Sequence, residues 1–145
     1  MLCDISKVHS GFGIIPKVTH TTEDSEWGKV GSSKKVHVAN SIFNNGGFAS
    51  VDRIIERREN EYWQIQVDEF QTWMLGFYKF VGEWQTIEIE EGKIQIDYSY
   101  QLHCKIFILY PICWIFGNIL WRKYMKQVIE NIRIMAYQHE TYLYA

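Results

Sequence analysis

Seven side chains in this sequence carry the groups that acid–base chemistry in an enclosed site requires: His20, His37, Glu83, Asp97, Tyr98, Tyr100 and His103. Burial and neighbouring charges move the pKa values of such groups toward neutrality, where one can give and another take a proton. Alternation along strands decides which of them face inward. In Ile94-Gln95-Ile96-Asp97-Tyr98-Ser99-Tyr100-Gln101-Leu102 every second residue is apolar or aromatic. That is the pattern of a strand with one buried face, so Ile96, Tyr98 and Tyr100 point in while Asp97 and His103 point out. His37 lies out of phase with Val36 and Val38 and is also expected outside. His20 is in phase with Val18 and Thr22, which predicts an interior position, either as a hydrogen-bonded core residue or as a base. Glu83, in Gly82-Glu83-Trp84, is expected to anchor a turn. The tyrosines either place hydroxyls in a pocket or simply pack. No pair forms a dyad, and no catalytic residue is assigned.

Other chemistries find less support. The sequence has no nucleophile elbow and no HExxH, and Asn45-Gly46-Gly47 lacks the Lys and Ser/Thr of a phosphate loop. No cofactor motif is present. Cys3, Cys104 and Cys113 are odd in number and lack CxxC or His/Cys ligand spacing, which predicts no metal and reduced thiols in a cytoplasmic protein. A formal charge of −2 argues against a nucleic-acid partner held by bulk electrostatics. Apolar residues at 47% and aromatics at 16% exclude a disordered chain, and 145 residues suffice for one domain with a real core. The N-terminus has neither a basic nor an apolar leader region. The apolar run Ile106–Trp121 is shorter than the roughly 20 residues of a span, so it reads as the start of a buried helix, or else as a membrane anchor followed by Arg122 and Lys123.

These groups must be positioned by strands and one helix. Period-two patterning predicts strands over Ile14–Thr22, Lys34–Ala39, Phe48–Arg58, Tyr62–Phe70, Phe77–Ile89 and Ile94–Leu102. Trp63, Ile65 and Val67 share one face, alternation breaks at Ile54/Ile55, and a bulge is expected between Trp84 and Ile87. Asn44-Asn45-Gly46-Gly47 signals a reversal. The pattern then changes. Leu120/Trp121, Tyr124/Met125, Val128/Ile129, Ile132 and Met135/Ala136 recur at helical spacing, opposite Arg122, Lys123, Lys126, Glu130 and Arg133. About six antiparallel strands capped by one long helix make an α+β architecture. Trp114, Phe116, Trp121, Tyr124, Met125 and Val128 offer that helix's apolar lining, either around a cavity or in a solid core.

Six segments in order resemble the polyketide cyclase/dehydrase branch of the START-like superfamily (SRPBCC, Bet v 1-like). They are Gly11-Phe12-Gly13-Ile14-Ile15-Pro16-Lys17-Val18; Trp27-Gly28-Lys29-Val30-Gly31; Val36–Gly47; Tyr62-Trp63-Gln64-Ile65; Gly82-Glu83-Trp84; and Trp121-Arg122-Lys123-Tyr124-Met125. The resemblance covers nearly the whole chain and implies a helix-grip fold, a curved antiparallel sheet of about seven strands around a C-terminal helix. It also implies a cavity between them for a lipid-, polyketide- or isoprenoid-like ligand. The family's first strand has no counterpart in Met1–Ser10, so one START-like domain over 1–145, short at its N-terminus, is expected. That would leave the Ile94–Leu102 edge unpaired, a route to a homodimer. The ligand-lining residues expected on this basis are His20, Trp63, Ile65, Ile96, Tyr98, Tyr100, Trp121, Tyr124, Met125 and Val128. The expected function is binding of a small hydrophobic ligand in the cytoplasm. The alternatives are a cyclase/dehydrase-like enzyme using cavity His and Tyr, and a membrane-associated protein held by 106–121.

Overall fold

Strong alternation and glycine-marked reversals produce a six-stranded antiparallel meander in the computed structural model, which describes residues 4–42, 45–71 and 76–138. The strands are β1 (Val18–Glu23), β2 (Ser33–Val38), β3 (Gly47–Arg58), β4 (Tyr62–Asp68), β5 (Phe77–Glu90) and β6 (Lys93–Cys104), each paired with its sequence neighbours. The sheet does not close, so β1 and β6 are its edges. A 3-10 turn (Ile5–Lys7) precedes it. After it, a 3-10 turn (Phe107–Leu109), α1 (Tyr110–Ile115), a π-helical stretch (Phe116–Trp121) and α2 (Arg122–Tyr137) run on as one C-terminal helix. This is the α+β arrangement that the patterning predicts, and its open sheet followed by one C-terminal helix is helix-grip-like, as the resemblance implies. The reversal expected at Asn44-Asn45-Gly46-Gly47 lies partly outside the described residues, though Gly46 and Gly47 both take positive φ.

Extra residues bend the sheet. Thr19 on β1, Ala49 on β3 and Ile55 on β3 each oppose no partner of their own, and such bulges increase local twist and curvature. The break in alternation at Ile54/Ile55 is therefore the bulge at Ile55. The bulge expected between Trp84 and Ile87 is absent: pairing runs without interruption from Trp84↔Tyr98 to Glu88↔Ile94, and the β5–β6 register shifts elsewhere, between Phe77 and Lys79 and between Glu88 and Glu90. The change of apolar parity there has another cause. Ile87 and Ile89 are exposed, on the part of the β5–β6 hairpin that carries little buried surface.

The core lies between the sheet's inner face and the helix. Phe80, Phe77, Cys113 and Phe116 form one cluster with Trp121 and Tyr100 packed against it, and Val8, Tyr124, Met125, Val128 and Met135 form another. The helix holds the N-terminal segment by side-chain donors. Asn131 Nδ2 donates to the Val8 carbonyl at 2.8 Å, and Gln127 Nε2 to Ser10 Oγ at 2.6 Å. Gly11 follows with φ 84°; a Cβ there would stand 2.8 Å from the Lys17 backbone nitrogen, so the crossing of these two backbone segments requires glycine.

Candidate functional site

Sheet and helix do not meet everywhere. Between them lies a cavity of about 470 Å³, lined mostly by aliphatic and aromatic side chains from every strand, the N-terminal segment and the helix. Strand alternation delivers Trp63, Ile65 and Val67 to it from β4, and Trp84, Tyr98 and Tyr100 from the β5–β6 pair. Gly82 faces Tyr100 directly across β5 and β6, and the missing side chain makes room for the Tyr100 ring.

On the helix side the lining depends on the π-helical stretch. Phe116 and Trp121 are five residues apart, which an α-helix would place well around its circumference. The wider turn of a π-helix returns both to one face, and their ring centroids lie 6.2 Å apart. Over the next two helical turns, Tyr124, Met125 and Val128 continue the lining.

Of the ten residues expected to line a pocket, Trp63, Ile65, Tyr98, Tyr100, Trp121, Tyr124, Met125 and Val128 do face this cavity. His20 and Ile96 do not. The bulge at Thr19 reverses parity between Val18 and His20, so Val18 points in and His20 points out, where its ring stacks on His37 at 4.2 Å. Ile96 has the parity of Tyr98 but sits further along the β5–β6 hairpin, beyond the cavity. Two further expectations are corrected. Trp114 is 55% exposed on the outer side of α1, so it belongs to no lining. Glu83 anchors no turn; it lies mid-strand and accepts from Gln64 Nε2 at 2.9 Å and Ser99 Oγ at 3.3 Å.

Besides Tyr98, Tyr100 and Tyr124, the lining includes a lysine, an aspartate and a histidine that are not among the sequence candidates. Lys34 on β2 and Asp52 on β3 are direct cross-strand partners, both buried, with Nζ 4.0 Å from Oδ2. The ammonium also lies 4.5 Å from the centre of the Trp27 ring, a cation–π contact. Removal from water raises the Asp52 carboxyl to about 6, with the nearby Lys34 charge opposing and the Asp68 charge adding to that rise. His9 enters from the N-terminal segment, its Nδ1 hydrogen-bonded to the Tyr124 hydroxyl at 2.6 Å. Burial, helped by the Lys34 charge, lowers its pKa to about 4, so the ring is neutral at physiological pH. Burial likewise pushes Tyr98, Tyr100 and Tyr124 upward, leaving three neutral phenols. The Tyr98 and Tyr100 rings pack edge to face at 5.2 Å, and the Tyr98 hydroxyl lies 3.9 Å from Met125 Sδ.

A signal for two of these residues was available. Lys34 is in phase with Val36 and Val38, and Asp52 with Ile54, so each falls on its strand's apolar face. A lysine and an aspartate at such positions need each other. His9 had no such signal, because it lies outside any strand.

The result is an apolar chamber with a cation, an anion of raised pKa, a neutral imidazole and three phenols among its lining groups. It can hold an apolar body by burial and an oxygen-bearing group by hydrogen bonds. No group of three or more His, Cys, Asp or Glu side chains able to hold a metal occurs among the described residues. Near the cavity's Phe116 side, the thiols of Cys104 and Cys113 touch at 3.2 Å, and burial pushes Cys113 up to about 11, an unreactive thiol. No protein-family model matches the chain, and no curated protein sequence matches it significantly.

Proposed function

We propose that this chain is a cytoplasmic binding protein of the START-like, helix-grip type, and that its cavity holds one small, largely apolar molecule with a neutral, oxygen-bearing end. The observation that carries this reading is the cavity itself, about 470 Å³ of space lined predominantly by apolar side chains with a few polar groups. Both its size and its lining are those of small-molecule pockets. The polar groups restrict the ligand further. Lys34 and Asp52 balance each other's charge, so a charged ligand would leave an uncompensated charge in a desolvated place. A neutral hydroxyl or carbonyl group suits the pair better, accepting from the ammonium or donating to the carboxylate. Polyketide-, lipid- and isoprenoid-like molecules meet this description.

Titration with the neutral apolar fluorophore N-phenyl-1-naphthylamine tests the reading. Saturable binding at one site per chain is expected, weakened at least tenfold by Ile65→Trp, which fills the cavity from a half-buried position. Binding that is non-saturable, or that Ile65→Trp leaves unchanged, overturns it. Native mass spectrometry of protein purified from its host would identify the natural occupant.

A second reading, a cyclase- or dehydrase-like enzyme, gains support from Asp52. A carboxylate with its pKa raised to about 6 is a stronger base than an ordinary one, and Lys34 beside it supplies a cation for a developing enolate oxygen. On this reading Asp52, and not His20, takes the proton. Asp52→Asn would then abolish turnover of a cyclisable ketone while leaving fluorophore binding intact.

A further inference from the structure

The C-terminal helix begins with apolar side chains on the wrong side for a packed protein. Cys113 and Phe116 point inward, yet Ile108, Ile112, Ile115 and Ile119, at three- and four-residue spacing, are exposed together with Phe107 and Trp114. Phe107 is 92% exposed and Ile108 82%. Single exposed hydrophobes are ordinary, but a contiguous patch on this scale marks an interaction surface.

Charge indicates what covers it. From Tyr98 to Ile129 the sequence has no Asp or Glu, but it has Lys105, Arg122, Lys123 and Lys126. The chain's formal −2 therefore divides into +4 on this stretch and −6 elsewhere. All four basic residues are exposed and bracket the apolar patch, Lys105 before it and the other three after it. A second copy of the chain, docking by the same face, would set +4 against +4. An anionic lipid surface complements it instead, with the isoleucines and Phe107 entering the acyl boundary and Trp114 at headgroup level. The segment does not span a bilayer: no helix of the described residues is long and apolar enough, and its inner face is already committed to the sheet.

We propose that residues 105–126 form a membrane-surface docking face that lies in the plane of an anionic bilayer. This surface is independent of what fills the cavity. The test is co-sedimentation of the full chain with vesicles of equimolar phosphatidylcholine and phosphatidylglycerol, against phosphatidylcholine alone. Binding to the anionic vesicles that falls with added salt is expected. Ile108→Glu/Ile115→Glu, at exposed positions, should abolish it while leaving the circular dichroism spectrum unchanged. Lys123→Gln/Lys126→Gln, a variant that touches no apolar contact, should weaken it roughly thirtyfold, since each basic residue at such a surface is worth about a factor of five. The proposal is overturned if anionic vesicles do not retain the protein or if both variants bind as the parent does. A dimer in solution that Ile108→Glu dissociates also overturns it. Fluorophore binding in the cavity is a separate readout that none of these results moves.

Discussion

Lys34 and Asp52 face each other across β2 and β3, and their charged ends meet 4.0 Å apart with almost no exposure to solvent. Two charges taken out of water are held by each other, so removing one leaves the other stranded. Asp52→Leu should therefore lower the free energy of unfolding by about 3 kcal/mol. Lys34→Met/Asp52→Leu should recover most of that loss, because the remaining surface is apolar. Urea denaturation of the two single variants and the double variant measures the coupling. Single-variant losses below about 1 kcal/mol would show that water screens the pair.

The same interior predicts an unusual pH profile. Asp52 is raised to about 6 from an ordinary value near 3.8, so below pH 6 the folded chain binds a proton that the unfolded chain does not yet hold. Its contribution to stability is present below pH 3.8 and is lost as pH rises through about 6. His9 is lowered from 6.5 to about 4, and its contribution is present above pH 6.5 and lost as pH falls through about 4. The two slopes oppose each other across nearly the same window. Stability of the parent should be almost flat between pH 4 and 6.5, as far as these two groups determine it. Asp52→Asn should expose the His9 slope, with stability falling on acidification. His9→Asn should expose the opposite slope. Melting temperatures across that range decide it, and variants whose profiles parallel the parent would refute the assignment.

Gly82 predicts a steric effect. A Cβ at this position would come within 2.8 Å of the Tyr100 ring, closer than real contacts allow. Gly82→Ala should displace that ring into the cavity and destabilise the protein by about 1–3 kcal/mol, as overpacking does. It should also weaken fluorophore binding. Gly82→Ala/Tyr100→Leu removes the clash and should restore stability, which separates it from a general intolerance of side chains in β5.

Most of the sheet and the helix was legible because each strand carries a period of two and the helix a period near 3.6, and those periods follow from backbone geometry. Tyr98 and Tyr100 were placed inward by that rule, and the structure puts them there. His20 was misplaced by the same rule, since one extra residue at Thr19 reverses it. Nothing in Val18-Thr19-His20 announces a bulge, because threonine suits a regular strand as well as a bulged one. Trp114 was misread for a different reason. A helix apolar on every side has no periodic signal to say which face meets the sheet.

By itself, the sequence determined which residues sit on strands, which on the helix, and which share a face, because those relations are local and repeat with the backbone. The tertiary structure alone decided that Lys34 meets Asp52, that His9 reaches Tyr124, and that the start of the helix turns its isoleucines outward. Each of these depends on strand register or on the docking of distant segments. Such contacts are set by the packing of the whole chain and by the balance between desolvation and pairing, neither of which a local pattern encodes.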